Sequence, residues 1–398
     1  MRAAVIGAGA SGLAAAFFAA ESGAEVTVFE KNDRCGKKLS MTGNGRCNLT
    51  HADIDGSEYT GSLAERMPVY MSVFGPSDTL KFMNRAGICT TDRSGYIYPS
   101  SMEAGTVPGI LSGAAVKKGV KFRYSEGVTG LRPKKDGFRI STEKGEYHFS
   151  KVIVSAGGRA RPDTGSDGSI LELITDLGIR TADVMPALCP LKSGDKGLKK
   201  ISGVRSRGKV SLMSGNKAIK SEEGEIQFTD GALSGICVFN LTPVASPLLL
   251  KGAKLSLSLD LMPDLDEEEL EKQLYELFHN SPYRYPGDVL KGMVNSKLAG
   301  FISDRVCSPG GHWNSGSIAK ILKDMRFPVT SASGFDRAQS STGGVTASEV
   351  DPSLMSVKYK GLYFTGEMLD ICGPCGGYNL QWAWTSGYIA GTAPGSEG

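Results

Sequence analysis

The stretch RAAVIGAGASG, Arg2 to Gly12, restricts the fold of this chain more than any other. Arg2 to Ile6 is a short apolar, β-branched run that reads as a buried strand. Glycines follow at 7, 9 and 12, then a small-residue helix to about Glu21 and a second strand, EVTVFE, ending in Glu30. In a dinucleotide-binding βαβ unit each position has a task. Gly7 makes the tight turn, Gly9 lets a pyrophosphate approach the backbone, and Gly12 lets helix and strand pack closely. Ala10 and Ser11 begin the helix, whose N-terminal N–H groups and partial positive charge face the phosphates. Glu30, 18 residues after Gly12, is placed to accept hydrogen bonds from ribose hydroxyls. Its charge argues against a 2′-phosphate on that nucleotide, because two negative groups repel.

Four further stretches suit a flavin dinucleotide. Lys31–Asn48, KNDRCGKKLSMTGNGRCN, has glycines at 36, 43 and 45 that allow a loop to wrap a cofactor, with Lys37, Lys38 and Arg46 beside them. Lys121 to Val154 reads as a β-meander with turns at Lys134–Gly137 and Glu143–Gly145, returning through VIVSAGG to Gly157-Gly158. Leu362 to Phe364 is a buried strand followed by Gly366-Glu367, and a carboxylate there can hold a polyol. Gly376-Gly377 opens a helix from about Asn379 to Ala390, whose positive end suits an anionic reduced ring. There is no second strand–G-x-G-x-x-G–helix unit. Any nicotinamide must therefore dock at the flavin itself, or oxygen or another acceptor must reoxidise it.

GAGASGLAAA, GKKLSMTGNGRCNLT, GEIQFTDGALSG, STGGV and GLYFTGEMLDICGPCGGYNLQWAWTSGYIAG together span Gly7 to Gly391. In these motifs the chain resembles the aminoacetone oxidase/BaiN-like flavoproteins, within the two-dinucleotide-binding-domain flavoprotein superfamily. The resemblance implies an α/β fold: a Rossmann-type FAD-binding domain of parallel sheet plus β-meander, carrying an inserted β subdomain and a helical cap that cover the flavin. It implies that Glu30 holds the adenosine ribose and Val128 the adenine side, with Lys31 and Lys38 nearby. Ala156 and Gly157 line the nucleotide cleft. Gly43, Gly45, Arg46 and Asn48 lie along the flavin, and Gly366, Glu367, Gly377, Tyr378, Asn379 and Leu380 surround the ribityl and isoalloxazine. FAD is expected to be noncovalent, with NAD(P)H as a possible transient electron donor.

Domain limits read as 1–187 and 327–398 for the FAD-binding domain, 188–262 for the β subdomain and 263–326 for the cap. Strands are expected in GKVSLMS, EIQFTD, ICVFNLT and KLSLSLDL, and an amphipathic helix in DLDEEELEKQLYELFHNS. Lys196, Lys199, Lys200, Arg205, Arg207 and Lys209 form a basic run. With a net charge of only +3, this reads as a solvated face, and no nucleic-acid partner is expected. The eight cysteines show no framework spacing, which favours free thiols in a cytoplasm. Outside the glycine-broken N-terminus no apolar run reaches membrane-spanning length, so no membrane partner is expected. Gly395–Gly398 reads as a frayed tail. The four histidines, His51, His148, His279 and His312, have no metal-ligand spacing, and no metal is expected. His51 is a candidate base or flavin attachment point, with an ordinary loop role favoured.

These readings converge on a flavin oxidoreductase that exchanges a hydride at N5 with a small organic substrate. Two chemistries stay open: NAD(P)H-linked reduction of a conjugated C=C bond, or oxidation of a small amine such as aminoacetone. No catalytic residue is fixed; Arg46, Tyr378 and Cys375 are the candidate neighbours. Two alternatives remain, an RNA-modifying flavoprotein and a dithiol oxidoreductase using Cys372 and Cys375 of CGPC. For the latter, a glycine-rich turn against the flavin is the favoured role of the motif.

Overall fold

The computed structural model describes residues 1–307 and 313–394; His312 and the tail Gly395–Gly398 lie outside the described residues. Two units result, Met1–Met185 with Gln339–Gly398, and Pro186–Ala338.

In the first unit Arg2–Ile6 is the middle of a five-stranded parallel sheet. Lys151–Val154 and then Leu362–Phe364 lie on one side, Glu25–Phe29 and then Lys121–Arg123 on the other. The apolar runs are continuous because both faces are covered. Ala3, Ala4, Val5, Val152, Ile153 and Val154 are all fully buried. Register then decides where function can lie. Ile6 is level with both Phe29 and Val154, and Val154 with Phe364. Residues 7, 30, 155 and 365 therefore leave the sheet along one C-terminal edge, where ligands of open α/β sheets bind.

The helix Ala10–Glu21 covers one face, with Phe17 and Phe18 in its core. The meander Val128–Lys134, Gly137–Thr142 and Gly145–Phe149 covers the other, through Phe138, Ile140 and Phe149. Lys121–Arg123 was expected in that meander. It pairs instead in parallel with Glu25–Phe29 as the sheet edge, so the meander begins at Val128.

The C-terminal helix Tyr378–Thr392 packs on Ala10–Glu21 through glycine. A Cβ on Gly387 would lie 2.7 Å from the Ala14 Cβ and the Ser11 carbonyl, and one on Gly391 2.9 Å from the Ala15 carbonyl. The two backbones touch because these side chains are absent. Lys151, fully buried, donates to the carbonyls of Gly391 and Ala393 at this helix's end and lies 4.7 Å from the Tyr363 ring centroid. Burial pulls its ammonium down to about 8.

The second unit is a closed barrel. Its strands run Leu191–Ser193, Ala232–Ser234, Lys217–Thr229, Arg205–Ser214, Leu255–Asp260 and Met325–Ala332. Leu270 and Leu274 of the helix Glu267–Asn280, Ile302 of Ser296–Val306 and Ile318 of Ser315–Lys323 share one core with barrel residues Leu212, Phe228, Leu257 and Phe327. β subdomain and helical cap are thus one unit. The return to the first unit falls at Gln339 in place of 327, because Met325–Ala332 completes the barrel. ICVFNLT also departs from expectation: Ile236–Phe239 and Thr242–Leu250 are helical. Gly235, at φ +111 and with a Cβ position 2.2 Å from the Glu225 carbonyl, ends the preceding strand, and Pro243 suits the first turn of the second helix.

Candidate active site

The sheet edge presents the N-terminus of Ala10–Glu21, whose cap residue Gly9 offers no side chain to its N–H groups. Gly7 has φ +98, and a Cβ on Gly12 would lie 2.0 Å from the Gly7 carbonyl. Beside Gly9 a Cβ would meet nothing within 4 Å. The glycines therefore make a tight turn with one open side. Glu30 is buried at the next strand end. Its Oε2 accepts from the Ala8 N–H at 2.8 Å, and its Oε1 from the Asn32 N–H and Nδ2, each at 2.8 Å. Of about four lone-pair positions on a carboxylate, part remains for a ribose hydroxyl. The glutamate thus also braces the glycine turn.

Glu367, just beyond Leu362–Phe364, is the second carboxylate at this edge. Its Oε2 accepts from Lys38 Nζ at 2.6 Å, and its Oε1 from Ser340 Oγ at 2.7 Å and the Ser341 N–H at 3.3 Å. Gly157 and Gly158 approach this cluster, and a Cβ on Gly158 would sit 2.0 Å from Ser341 Oγ. Gly366 faces Ser11 Oγ in the same way at 2.7 Å. Ser155 and Thr365 join neighbouring strand ends by a 2.6 Å hydroxyl pair. Ser340 and Ser341 carry no residue signal of their own; SSTGGV draws attention only as a whole.

The third part is the C-G-P-C-G-G-Y-N turn. Asn379 is committed to it: Oδ1 accepts from the Gly373 N–H at 3.0 Å and Nδ2 donates to the Gly373 carbonyl at 2.8 Å. Gly377, at φ +98, caps the helix without a side chain. Tyr378 begins that helix beside His51, Tyr59 and Glu58; its hydroxyl donates to Glu58 Oε1 at 3.3 Å, and its carbonyl accepts from the Tyr59 hydroxyl at 2.7 Å. Burial, then the Glu58 carboxylate, raises its phenol to about 12. Cys372 is a free thiol, and the Cys375 thiol donates to Gln339 Oε1 at 3.9 Å. Full burial pushes the Cys372 thiol up to about 12, with the Glu367 charge adding to the effect. Thiolate chemistry is thereby disfavoured at this position.

The other expected residues are scattered more widely. Lys31 pairs with Asp167 at 2.8 Å. Val128 starts the meander, two residues after Glu126, whose N–H donates to the Glu30 carbonyl. Ala156 is half-buried, and Leu380 packs into the core of Ala10–Glu21. Gly43 and Gly45, both at positive φ, and Arg46 form an exposed bend. His51 Nδ1 accepts from the Asp53 N–H at 3.2 Å and the residue pairs in a short sheet, so it is a strand residue and not a loop one.

FAD fits this edge. The open glycine turn suits pyrophosphate, Glu30 and Glu367 can hold ribose and ribityl hydroxyls, and the two uncapped helix starts offer N–H donors. Two buried oxygens, Asn48 Oδ1 and Thr342 Oγ1, have no partner among the described residues. A ligand that donates hydrogen bonds would satisfy both. Residues 1–393 match the family described as "HI0933-like protein Rossmann domain". The chain belongs to this family. It is an FAD-dependent oxidoreductase. Over 98% of both chains it is 35% identical to a 3-dehydro-bile acid delta(4,6)-reductase of Clostridium scindens. It is 25% identical to a ribosomal RNA dihydrouridine synthase of Haemophilus influenzae, over 96% of each. The fold is similar to that of a 3-ketosteroid-delta4-(5alpha)-dehydrogenase from Rhodococcus jostii, at TM-score 0.52 and 15% identity, covering 98% of this chain and 95% of that one. No helix among the described residues is long and apolar enough to cross a membrane.

Proposed function

We propose that this enzyme reduces a C=C bond conjugated to a carbonyl, in a flat polycyclic ketone of the 3-dehydro bile acid kind, with NAD(P)H as the electron donor. The similarity to the bile acid delta(4,6)-reductase over nearly the full length of both chains carries the reading. When bound, reduced FAD supplies the hydride to the β-carbon. The chain would hold the cofactor through Glu30, Glu367 with Lys38, and the two helix N-termini. No second glycine-rich nucleotide turn is present in the sequence, so NAD(P)H is taken to dock at the flavin. The test is anaerobic: protein reduced with NADH or NADPH is mixed with a Δ4,6-unsaturated 3-dehydro bile acid and flavin reoxidation is followed. Failure of the enone to reoxidise the flavin, with oxidation of a small amine such as aminoacetone instead, overturns the reading.

A second substrate is favoured by the dihydrouridine synthase similarity. Uracil also carries a C=C bond conjugated to a carbonyl, so the chemistry is shared and only the carrier differs. Against RNA, three of the six cations in the basic run are ion-paired: Lys200 with Asp304, Arg205 with Glu225 and Arg207 with Asp264. Salt-sensitive binding of ribosomal RNA, with dihydrouridine formed on turnover, would favour it.

A further inference from the structure

Reduction of a conjugated carbonyl needs a proton as well as a hydride, and one pair of side chains in the first unit is built to provide it. Glu58 lies 320 residues from Tyr378 in sequence, yet its Oε1 accepts the Tyr378 hydroxyl at 3.3 Å. Its Oε2 is shut away from solvent and has no hydrogen-bond partner among the described residues. Buried polar atoms are normally satisfied, so an unsatisfied carboxylate oxygen needs an explanation. Tyr378 is half-buried, fixed by its backbone bond from Tyr59 and by the His51 ring, stacked at 6.4 Å and 16°. The pair continues from the cofactor cradle: Cys372 neighbours both Glu367 and Tyr59, and Tyr59 neighbours Tyr378.

We propose that Tyr378 is the acid that protonates the α-carbon of the substrate, and that Glu58 positions its hydroxyl and resupplies its proton. This rests on the enone-reductase reading above. Once the β-carbon has received the hydride, the electron pair of the C=C bond lies in an enolate. The Tyr378 O–H bond breaks, its proton forms the new C–H bond at the α-carbon, and the phenolate takes a proton from Glu58, which regains one from solvent by way of the exposed Asp55 beside it. A phenol raised to about 12 by burial and the neighbouring carboxylate stays protonated until an equally basic carbon is presented. The titratable groups around the phenol are Glu58 and Asp53 on the preceding loop, Tyr59, and His51 and Tyr96 on the short sheet; Asp55 adjoins Glu58.

The test separates the two halves of the flavin cycle in FAD-loaded wild type, Tyr378→Phe and Glu58→Gln. Reduction by NAD(P)H is followed in all three, and reoxidation is read as a ratio to it. Reoxidation by the bile acid enone should fall about 100-fold or more in Tyr378→Phe. In Glu58→Gln it should fall less and change its pH profile, because the amide can still accept the hydroxyl but passes no proton. Independently of turnover, the tyrosinate absorbance that Tyr378→Phe removes should appear at lower pH in Glu58→Gln. If wild type is reoxidised by the enone and Tyr378→Phe matches it, the proposal is overturned and the enone reading stands. If wild type itself is not reoxidised, both fall together.

Discussion

Gln381 offers the sharpest test of how the C-terminal helix is held. It is fully buried, as are Thr50 and Thr79. Its Oε1 accepts from Thr50 Oγ1 at 2.6 Å and Thr79 Oγ1 at 2.9 Å; its Nε2 donates to the Phe74 carbonyl at 3.2 Å and Thr385 Oγ1 at 3.0 Å. Gln381→Leu keeps the volume and removes all four bonds. Phe74 keeps the Thr385 hydroxyl at 2.7 Å, so the damage falls on the two threonines. Stranding a buried donor costs about 1–3 kcal/mol. Thr79 can turn to the carbonyl one helical turn back, and Thr50 has only a long contact, 3.4 Å, to the His51 carbonyl. The sum is about 2–3 kcal/mol. Urea unfolding in a Trp313→Phe background reads it cleanly, because Trp382 and Trp384 are then the only tryptophans and both lie in this helix. Thr50→Val should destabilise the wild type but be neutral or favourable once Gln381 is Leu. A loss below about 0.5 kcal/mol, or the same cost for Thr50→Val in both backgrounds, refutes the network.

Four other outcomes follow. Lys151 holds its proton to about pH 8 when folded, against 10.5 ordinarily, so the unfolded chain binds more protons between those values and stability rises with pH there. The rise, on the order of 3 kcal/mol, should vanish in Lys151→Met when unfolding is measured from pH 7 to 10. Gly387→Ala should destabilise the first unit by about 1–3 kcal/mol through backbone overlap and hasten FAD release, read by flavin fluorescence. Asp266→Ala removes the cap that accepts from the Glu269 N–H at 2.8 Å and should cost the second unit about 1 kcal/mol in thermal unfolding. Cys372→Ala with Cys375→Ser should leave flavin reduction and reoxidation rates unchanged; loss of either half-reaction would restore the dithiol reading.

What could be read from the chain was local. The glycine turn, Glu30 at its strand end and Gly366-Glu367 each announce themselves within a few residues, because strand, turn and helix signals are short-range. The failures are long-range or ambiguous in period. Met325–Ala332 joins a barrel that begins at Leu191, and no pattern within the strand names that partner. Ile236–Phe239 is four apolar residues, too short to separate strand from helix. Glu58 has no motif, and only the tertiary fold brings it to Tyr378.

The glycine contact between the two long helices of the first unit has a mechanical consequence. An interface made by side chains can relax by changing rotamers; one made by backbone against backbone has none to change. Gly387 and Gly391 therefore tie the helix that starts at the glycine turn to the helix that starts at Tyr378 as a single stiff bar. The spacing between its two positive ends is set by the van der Waals contact of the two backbones, which would give a dinucleotide held at both ends a ruler of fixed length. Change in what this edge binds must then come from the loops around the bar, since altering the bar itself would move both ends at once.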